Sequence, residues 1–195
     1  NNVSVFDIET DMNTGNVIMA SICTHTQDYT VVDKNFLAEF NKRNNLSNKK
    51  EDIIKRLKDM YLKYMDDYEE DYIDRAKQWE IDLVDTELET SVNCFKKAHL
   101  WKPDFVSVWN LDFDIPKILS VLEKNKVDPK FIFSDPSIPS QYKCFEYRKG
   151  KTQKVTASGV YTAIPPANQW HTVYFPASFY LIDSMCVYKR LRLGD

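Results

Sequence analysis

The chain predicts an α/β fold in which a mixed β-sheet carries helices packed against it. Three observations lead there. Short apolar strands follow one another at the start, stripes of helical period fill the middle, and a strand–helix–strand alternation returns after Pro103. With 43% apolar and 13% aromatic residues among 195, the chain can bury a sizeable core. Its length suits one domain, or one domain carrying an insertion, and we read 1–195 as a single domain.

Residues 3–8 read as a buried strand that ends on Asp7 and Glu9. Asn13, Thr14, Gly15 and Asn16 signal a turn, and two more strands follow at Val17–Cys23 and residues 29–32, which suggests an antiparallel meander. From Glu51 the apolar positions Ile54, Leu57, Tyr61, Met65 and Tyr68 recur at helical spacing. The pattern runs on through Tyr72, Ala76, Trp79 and Leu83, predicting a helical insertion over about 50–100. Thr86 and Glu89 have capping-box spacing ahead of Leu88, Val92 and Phe95. Pro103 interrupts this pattern. Residues 104–109 then read as a strand and 115–122 as a helix. Arg148, Lys149, Gly150 and Lys151 suggest a hairpin turn, Pro165 and Pro166 a loop, and 171–175 a strand. Residues 179–182 form a last strand ending at Asp183, and 187–191 begin a basic helix.

The formal charge of −3 is unevenly spread: residues 66–89 hold eleven acids against Arg75 and Lys77. Lys143, Arg148, Lys149, Lys151 and Lys154 cluster against Glu146 alone, which suits either a solvated face or a basic rim for phosphates. No apolar run reaches the length of a membrane span, so no membrane partner is expected. Cys23, Cys94, Cys144 and Cys186 form no CxxC pair. They read as reduced, buried structural thiols in a cytoplasmic protein rather than as a zinc site or disulfide framework.

The acids carry the chemistry. Side chains at i and i+2 of a strand share a face, so Asp7 and Glu9 point the same way and repel each other. A divalent cation makes such a pair tolerable, and all-oxygen ligand sets suit Mg²⁺ or Mn²⁺. A second acidic motif, Trp109 to Pro116, closes the later strand with Asp112 and Asp114. Phosphodiester hydrolysis is served by two such ions about 4 Å apart. Asp7, Glu9 and Asp114 are the candidate ligands, with Thr10, Asn110 and Phe113 placed to hold a terminal nucleotide.

Phe6-Asp7-Ile8-Glu9-Thr10 resembles the first motif of the DEDD, or DnaQ-like, 3′–5′ exonucleases, and Asn110-Leu111-Asp112-Phe113-Asp114-Ile115-Pro116 resembles their second. The wording is most similar to the proofreading domain of family B DNA polymerases, particularly those of T-even-like phages. The stretch from Phe179 to Met185, with Tyr188, Lys189 and Arg190, is similar to a later strand and helix of that domain. The resemblance implies a ribonuclease H-like sheet with a helical insertion and a β-hairpin insertion. It also implies two Mg²⁺ or Mn²⁺ ions, a single-stranded DNA 3′ end as substrate, and a polymerase domain in the parent chain. An RNA-trimming exonuclease of the same superfamily, or an inactive exonuclease fold that binds nucleic acid, are the alternatives.

The family's fourth acid, in Tyr-x-x-x-Asp or His-x-x-x-x-Asp, is missing after the last strand. The expectation is therefore of a C-terminally truncated fragment with weak metal binding and slow or no hydrolysis. Tyr29 with Asp33, and His99 with Asp104, fit the two spellings but precede the second motif and read as coincidences. Asp183 matches a strand-end aspartate that the family does not use as a principal ligand, so it is expected behind the metal ligands. His25 and His171 read as structural.

Overall fold

In the computed structural model, which describes residues 2–64, 74, 76 and 78–193, the first strand, β1 (Val3–Thr10), has one buried and one open face. Ser4, Phe6 and Ile8 are buried, while Val3, Val5, Asp7 and Glu9 are exposed. The strand is thus half-buried, not buried on both faces. The chain forms two compact units. Residues up to Phe6 and from Ala98 onward make one, and Asp7–Lys97 make the other.

In the unit from Asp7 to Lys97, the Asp11 carboxylate shapes the first turn, accepting from the Thr14 hydroxyl at 2.7 Å while Gly15 takes φ +70°. β2 (Val17–Cys23) then pairs antiparallel with β3 (Asp28–Asp33), Met19 opposite Val32. The Asp33 carboxylate caps α1 (Lys34–Arg43) by accepting from the amides of Asn35 and Phe36, which gives this aspartate a structural task. In α2 (Lys50–Tyr64), Ile53 is buried and Ile54, Leu57 and Tyr61 are half-buried, as the helical spacing predicts. Met65, Tyr68, Tyr72 and the acids of 66–73 lie outside the described residues.

The predicted helical run fails at residues 80–84. β4 (Glu80–Val84) is a strand, parallel to β3 with Tyr29 level with Glu80 and Asp33 level with Val84. The strand order in this unit is β1-β2-β3-β4. Helix resumes in α3 (Glu87–Trp101), where half of the capping box forms: the Glu89 amide donates to the Thr86 hydroxyl, and that hydroxyl, in place of the Thr86 amide, donates to the Glu89 carboxylate. Val92 and Phe95 are buried below it.

In the other unit, β5 (Phe105–Val108) runs parallel to β1, with Val3 level with Phe105 and Phe6 level with Val108. The chain enters α4 (Leu111–Lys124) from its carboxyl end and reaches the short α5 (Lys130–Phe133). β6 (Glu146–Arg148), β7 (Gln153–Val155), β8 (Tyr161–Ala163) and β9 (Thr172–Tyr174) form two antiparallel ribbons, β6 with β9 and β7 with β8. A β-hairpin is therefore present, but its turn lies at residues 156–160, not at Arg148–Lys151. β10 (Tyr180–Asp183) pairs parallel with β5 and leads into α6 (Ser184–Leu193), giving the order β10-β5-β1. Phe145, Phe133, Phe175 and Phe179 form a row of tilted and edge-on rings in that order, with neighbouring centroids 4.6–5.7 Å apart. The buried His99 ring joins them, 5.3 Å from Phe179.

The fold class is α/β, with mixed strand pairing and helices between the strands. Among the described residues no helix is long and apolar enough to cross a membrane. All four thiols are free. Cys94 and Cys186 are buried as expected, Cys23 is half-buried, and Cys144 is exposed, against the expectation of buried thiols.

Candidate functional site

The alternation of β1 sets Asp7 and Glu9 side by side on its open face, with the half-buried Thr10 next. The backbone period of two requires this once Ser4, Phe6 and Ile8 turn inward. Enough protein surrounds the Asp7 carboxyl that desolvation pushes its pKa above the ordinary carboxylate range, against a smaller pull from the Ile8 amide. Glu9 also borders an apolar groove of about 300 Å³ lined by Ile18, Val32, Phe36, Leu57 and Trp79.

The second motif forms the start of α4 in the other unit. Asn110 is its N-cap residue, with its carbonyl accepting from the amides of Phe113 at 2.8 Å and Asp114 at 3.0 Å. The Asn110 side chain is exposed and makes no capping bond, and Phe113 is 47% exposed. Asp114 is only 2% exposed, on the helix stripe that also buries Leu111, Ile115, Ile118, Val121 and Leu122. Helical spacing explains the position: Asp114 lies three residues after Leu111 and four before Ile118. An acid at such a place is uncommon and asks for a chemical reason.

Asp183, 4% exposed at the end of β10, accepts from the Cys186 amide at 3.0 Å and the His171 amide at 3.2 Å. It therefore caps α6 and braces the residue preceding β9. The ring of His171 turns toward Asp112, whose Oδ1 accepts a 2.6 Å hydrogen bond from the Tyr147 hydroxyl. Lys149 Nζ lies 2.8 Å from Asp112 Oδ2. Burial raises the Asp112 pKa, but the Lys149 and Tyr147 hydrogen bonds, aided by His171, outweigh it and hold the carboxyl below its usual range. The Tyr147 hydroxyl is pushed well above the ordinary phenol range by burial and then by Asp112. A small polar cavity of about 40 Å³ lies among Asn110, Asp112, Gln169, His171, Asp183 and Lys189.

Sequence reasoning missed Asp112, Tyr147 and Lys149 as a group and gave His171 no specific partner. Asp112 had one signal, its place inside the second motif. The others announce themselves only through the fold. Of the basic cluster, Lys149 is paired with Asp112, and Arg148 grips Glu146 at 2.7 and 2.9 Å while lying 4.7 Å over the Tyr174 ring. Lys151 and Lys154 are exposed. Asp104 accepts from the Asn2 amide at 2.7 Å, a structural task like that of Asp33.

Asp7, Glu9 and Thr10 thus belong to one unit, and Asn110, Phe113, Asp114 and Asp183 to the other. Among the described residues no three His, Cys, Asp or Glu side chains are grouped as ligands of a metal ion. The donor chemistry nevertheless fits one. All three proposed ligands are carboxylates, the class that Mg²⁺ and Mn²⁺ prefer, and Asp7 sits where a nearby cation would offset its desolvation. Compared with known proteins, the chain matches no family model and no curated protein.

Proposed function

We propose that the chain is a metal-dependent 3′–5′ exonuclease domain of the DEDD kind, removing nucleotides from a DNA 3′ end as part of a polymerase. The observation that carries this reading is the pair Asp7 and Glu9 on the open face of β1, with the Asp7 carboxyl already raised by burial. Two features add support. β1 and β5 run parallel and each leads, in chain order, into an acidic motif. Asp114 holds a carboxylate on an otherwise apolar helix stripe.

In this reading Asp7, Glu9 and Asp114 hold two Mg²⁺ or Mn²⁺ ions. The ions, when bound, activate water and stabilise the charge developing on the phosphate and the departing oxygen. Glu9, exposed beside Asp7, orients the attacking water and receives its proton. Asn110, with its side chain not engaged in capping, hydrogen-bonds the terminal nucleotide, and the exposed Phe113 ring packs against its base. Thr10, next to Glu9 on β1, is a further candidate for substrate binding.

Two measurements test the proposal. Mn²⁺ titration followed by electron paramagnetic resonance should show binding that Asp7→Asn and Asp114→Asn each weaken. A 5′-labelled single-stranded DNA with Mn²⁺ should shorten stepwise, slowly, and not at all with Asp7→Ala. Binding and shortening indifferent to these substitutions would sink the reading, and faster loss of a matched RNA would reassign the substrate.

A further inference from the structure

We propose that Tyr147 and His171 are positioning residues that hold the first turn of α4, and with it Asp114, through the carboxylate of Asp112. The inference rests on the exonuclease reading above and adds residues that the acidic motifs do not contain.

Asp112 lies in the first turn of α4, where an acid is ordinarily favoured by the helix dipole and needs no partner. Here it has three. Tyr147 on β6 reaches Oδ1, Lys149 just beyond β6 reaches Oδ2, and the His171 ring faces Oδ1 at 3.5 Å. A charge-assisted bond of 2.6 Å, partly shielded from water, is among the stronger single contacts a side chain makes. It joins residues 35 positions apart, so it fixes α4 to the β6–β9 ribbon and not to its own neighbours.

His171 extends the tie. The Gly150 amide donates to His171 Nδ1 at 3.2 Å, so in the neutral ring Nδ1 is an acceptor and the proton sits on Nε2. The His171 backbone amide donates to Asp183, whose other oxygen caps α6. The Met185 amide closes the loop by donating to the Trp109 carbonyl at the end of β5. One histidine therefore links the segment that carries Tyr147 and Lys149, by its ring at Gly150, to the first turn of α6, by its backbone. Between α4 and α6 lies the 40 Å³ polar cavity, too small for a nucleotide and lined by the same residues. Asp114 is two residues from Asp112 on the same turn, so a shift of this turn moves the carboxylate. Misplacement by about 1 Å is enough to cost a catalytic group roughly a hundredfold.

The test uses the whole chain and Tyr147→Phe, which removes one hydroxyl and keeps the ring. Amide hydrogen exchange at Phe113, Asp114 and Ile115 should quicken about tenfold, the scale of one charge-assisted bond. With Mn²⁺ and a 5′-labelled single-stranded DNA, kcat should fall about 10–100-fold with KM unchanged. Tyr161→Phe, on the exposed face of β8, should change neither, and Asp112→Asn, which still accepts from Tyr147, should retain more activity than Asp112→Ala. Unaltered exchange in Tyr147→Phe overturns the tie, and quickened exchange with wild-type kcat overturns the positioning role. A wild-type chain that neither binds Mn²⁺ nor shortens any oligonucleotide overturns both this role and the exonuclease reading, while the exchange data still show whether the tie exists. Failure of the proposal alone shows as an active wild type with an indifferent variant.

Discussion

Asp114 lies one helical turn before Ile118 on the same buried stripe of α4, a carboxylate aligned with an isoleucine. Apolar packing alone would select leucine or isoleucine at that position. The acid therefore marks a requirement that the core does not impose.

Replacing Asp114 with Asn keeps shape and polarity but removes the charge. Hydrolysis of 5′-labelled DNA in Mn²⁺ should fall by about 100-fold or more, the scale of losing one group that stabilises transition-state charge. Circular dichroism should show the helix content of the wild type. Activity within a factor of three of wild type would exclude Asp114 from the chemistry.

Asp7 predicts an inverse relation between stability and function. Its folded pKa is raised, so the folded chain keeps this proton to higher pH than the unfolded chain, which loses it near about 3.9. The stability it contributes is present below that value and is lost as pH rises through the folded pKa. At neutral pH the ionised carboxyl is then a cost. Asp7→Asn should raise the melting temperature in EDTA by about 1–3 °C, whereas Mn²⁺ should stabilise the wild type and leave the variant unmoved. A variant that melts lower than wild type in EDTA contradicts this.

His99 gives a pH dependence of opposite origin. Desolvation lowers its pKa, and its Nε2–H donates to the Ile132 carbonyl at 2.9 Å. The unfolded chain takes up this proton near pH 6.5, about the ordinary value, while the folded chain does so only at lower pH. Stability is therefore complete above that value and falls as pH drops toward the folded pKa. The urea midpoint should decline between pH 7.5 and 5.5, and His99→Gln should flatten that decline. Equal slopes in the two proteins would assign the effect elsewhere.

The two glycines of the ribbons separate what a sequence reveals from what it hides. Gly159 has φ +81° and closes the β7–β8 turn, its amide donating to the Thr156 carbonyl at 2.9 Å. That is a local demand. Gly150 has a tertiary one: a Cβ there would lie 2.3 Å from the Gln169 carbonyl oxygen. From sequence, Gly150 among basic residues looked like the turn, and the hairpin was placed there. Gly150→Ala should destabilise by about 1–3 kcal/mol through overpacking, and Gly159→Ala by about 1–2 kcal/mol through backbone strain. Urea denaturation of both variants measures it.

The same division runs through the rest of the molecule. Strands with a clear buried face and helices with capping residues were legible: β1, β2, β3, β5 and β10, the Thr86–Glu89 box, and α4. β4 was not, because Ile81 and Val84 are its buried residues and sit three apart, a spacing that also suits a helix. Pairing with β3 decides the matter, and pairing partners are not written in a single sequence. The face shared by Asp7 and Glu9 was legible from the strand period. The bonds from Tyr147 and Lys149 to Asp112 span long separations and could not be read from spacing.

The capping box offers a direct check on local reasoning. Thr86→Ala removes the hydroxyl that serves the Glu89 amide and should cost about 1 kcal/mol. In a chain of this length that lowers the melting temperature by about 2–4 °C. A change below 0.5 °C would mean that the last residues of the β4–α3 junction hold the helix without it.

The parallel register of Val3 with Phe105 has a bearing on biosynthesis. β1 leaves the ribosome about a hundred residues ahead of its β5 neighbour, and β10 comes later still. Until then that edge of β1 has no β5 to hydrogen-bond with, so the nascent chain carries an unpaired strand edge over that whole interval.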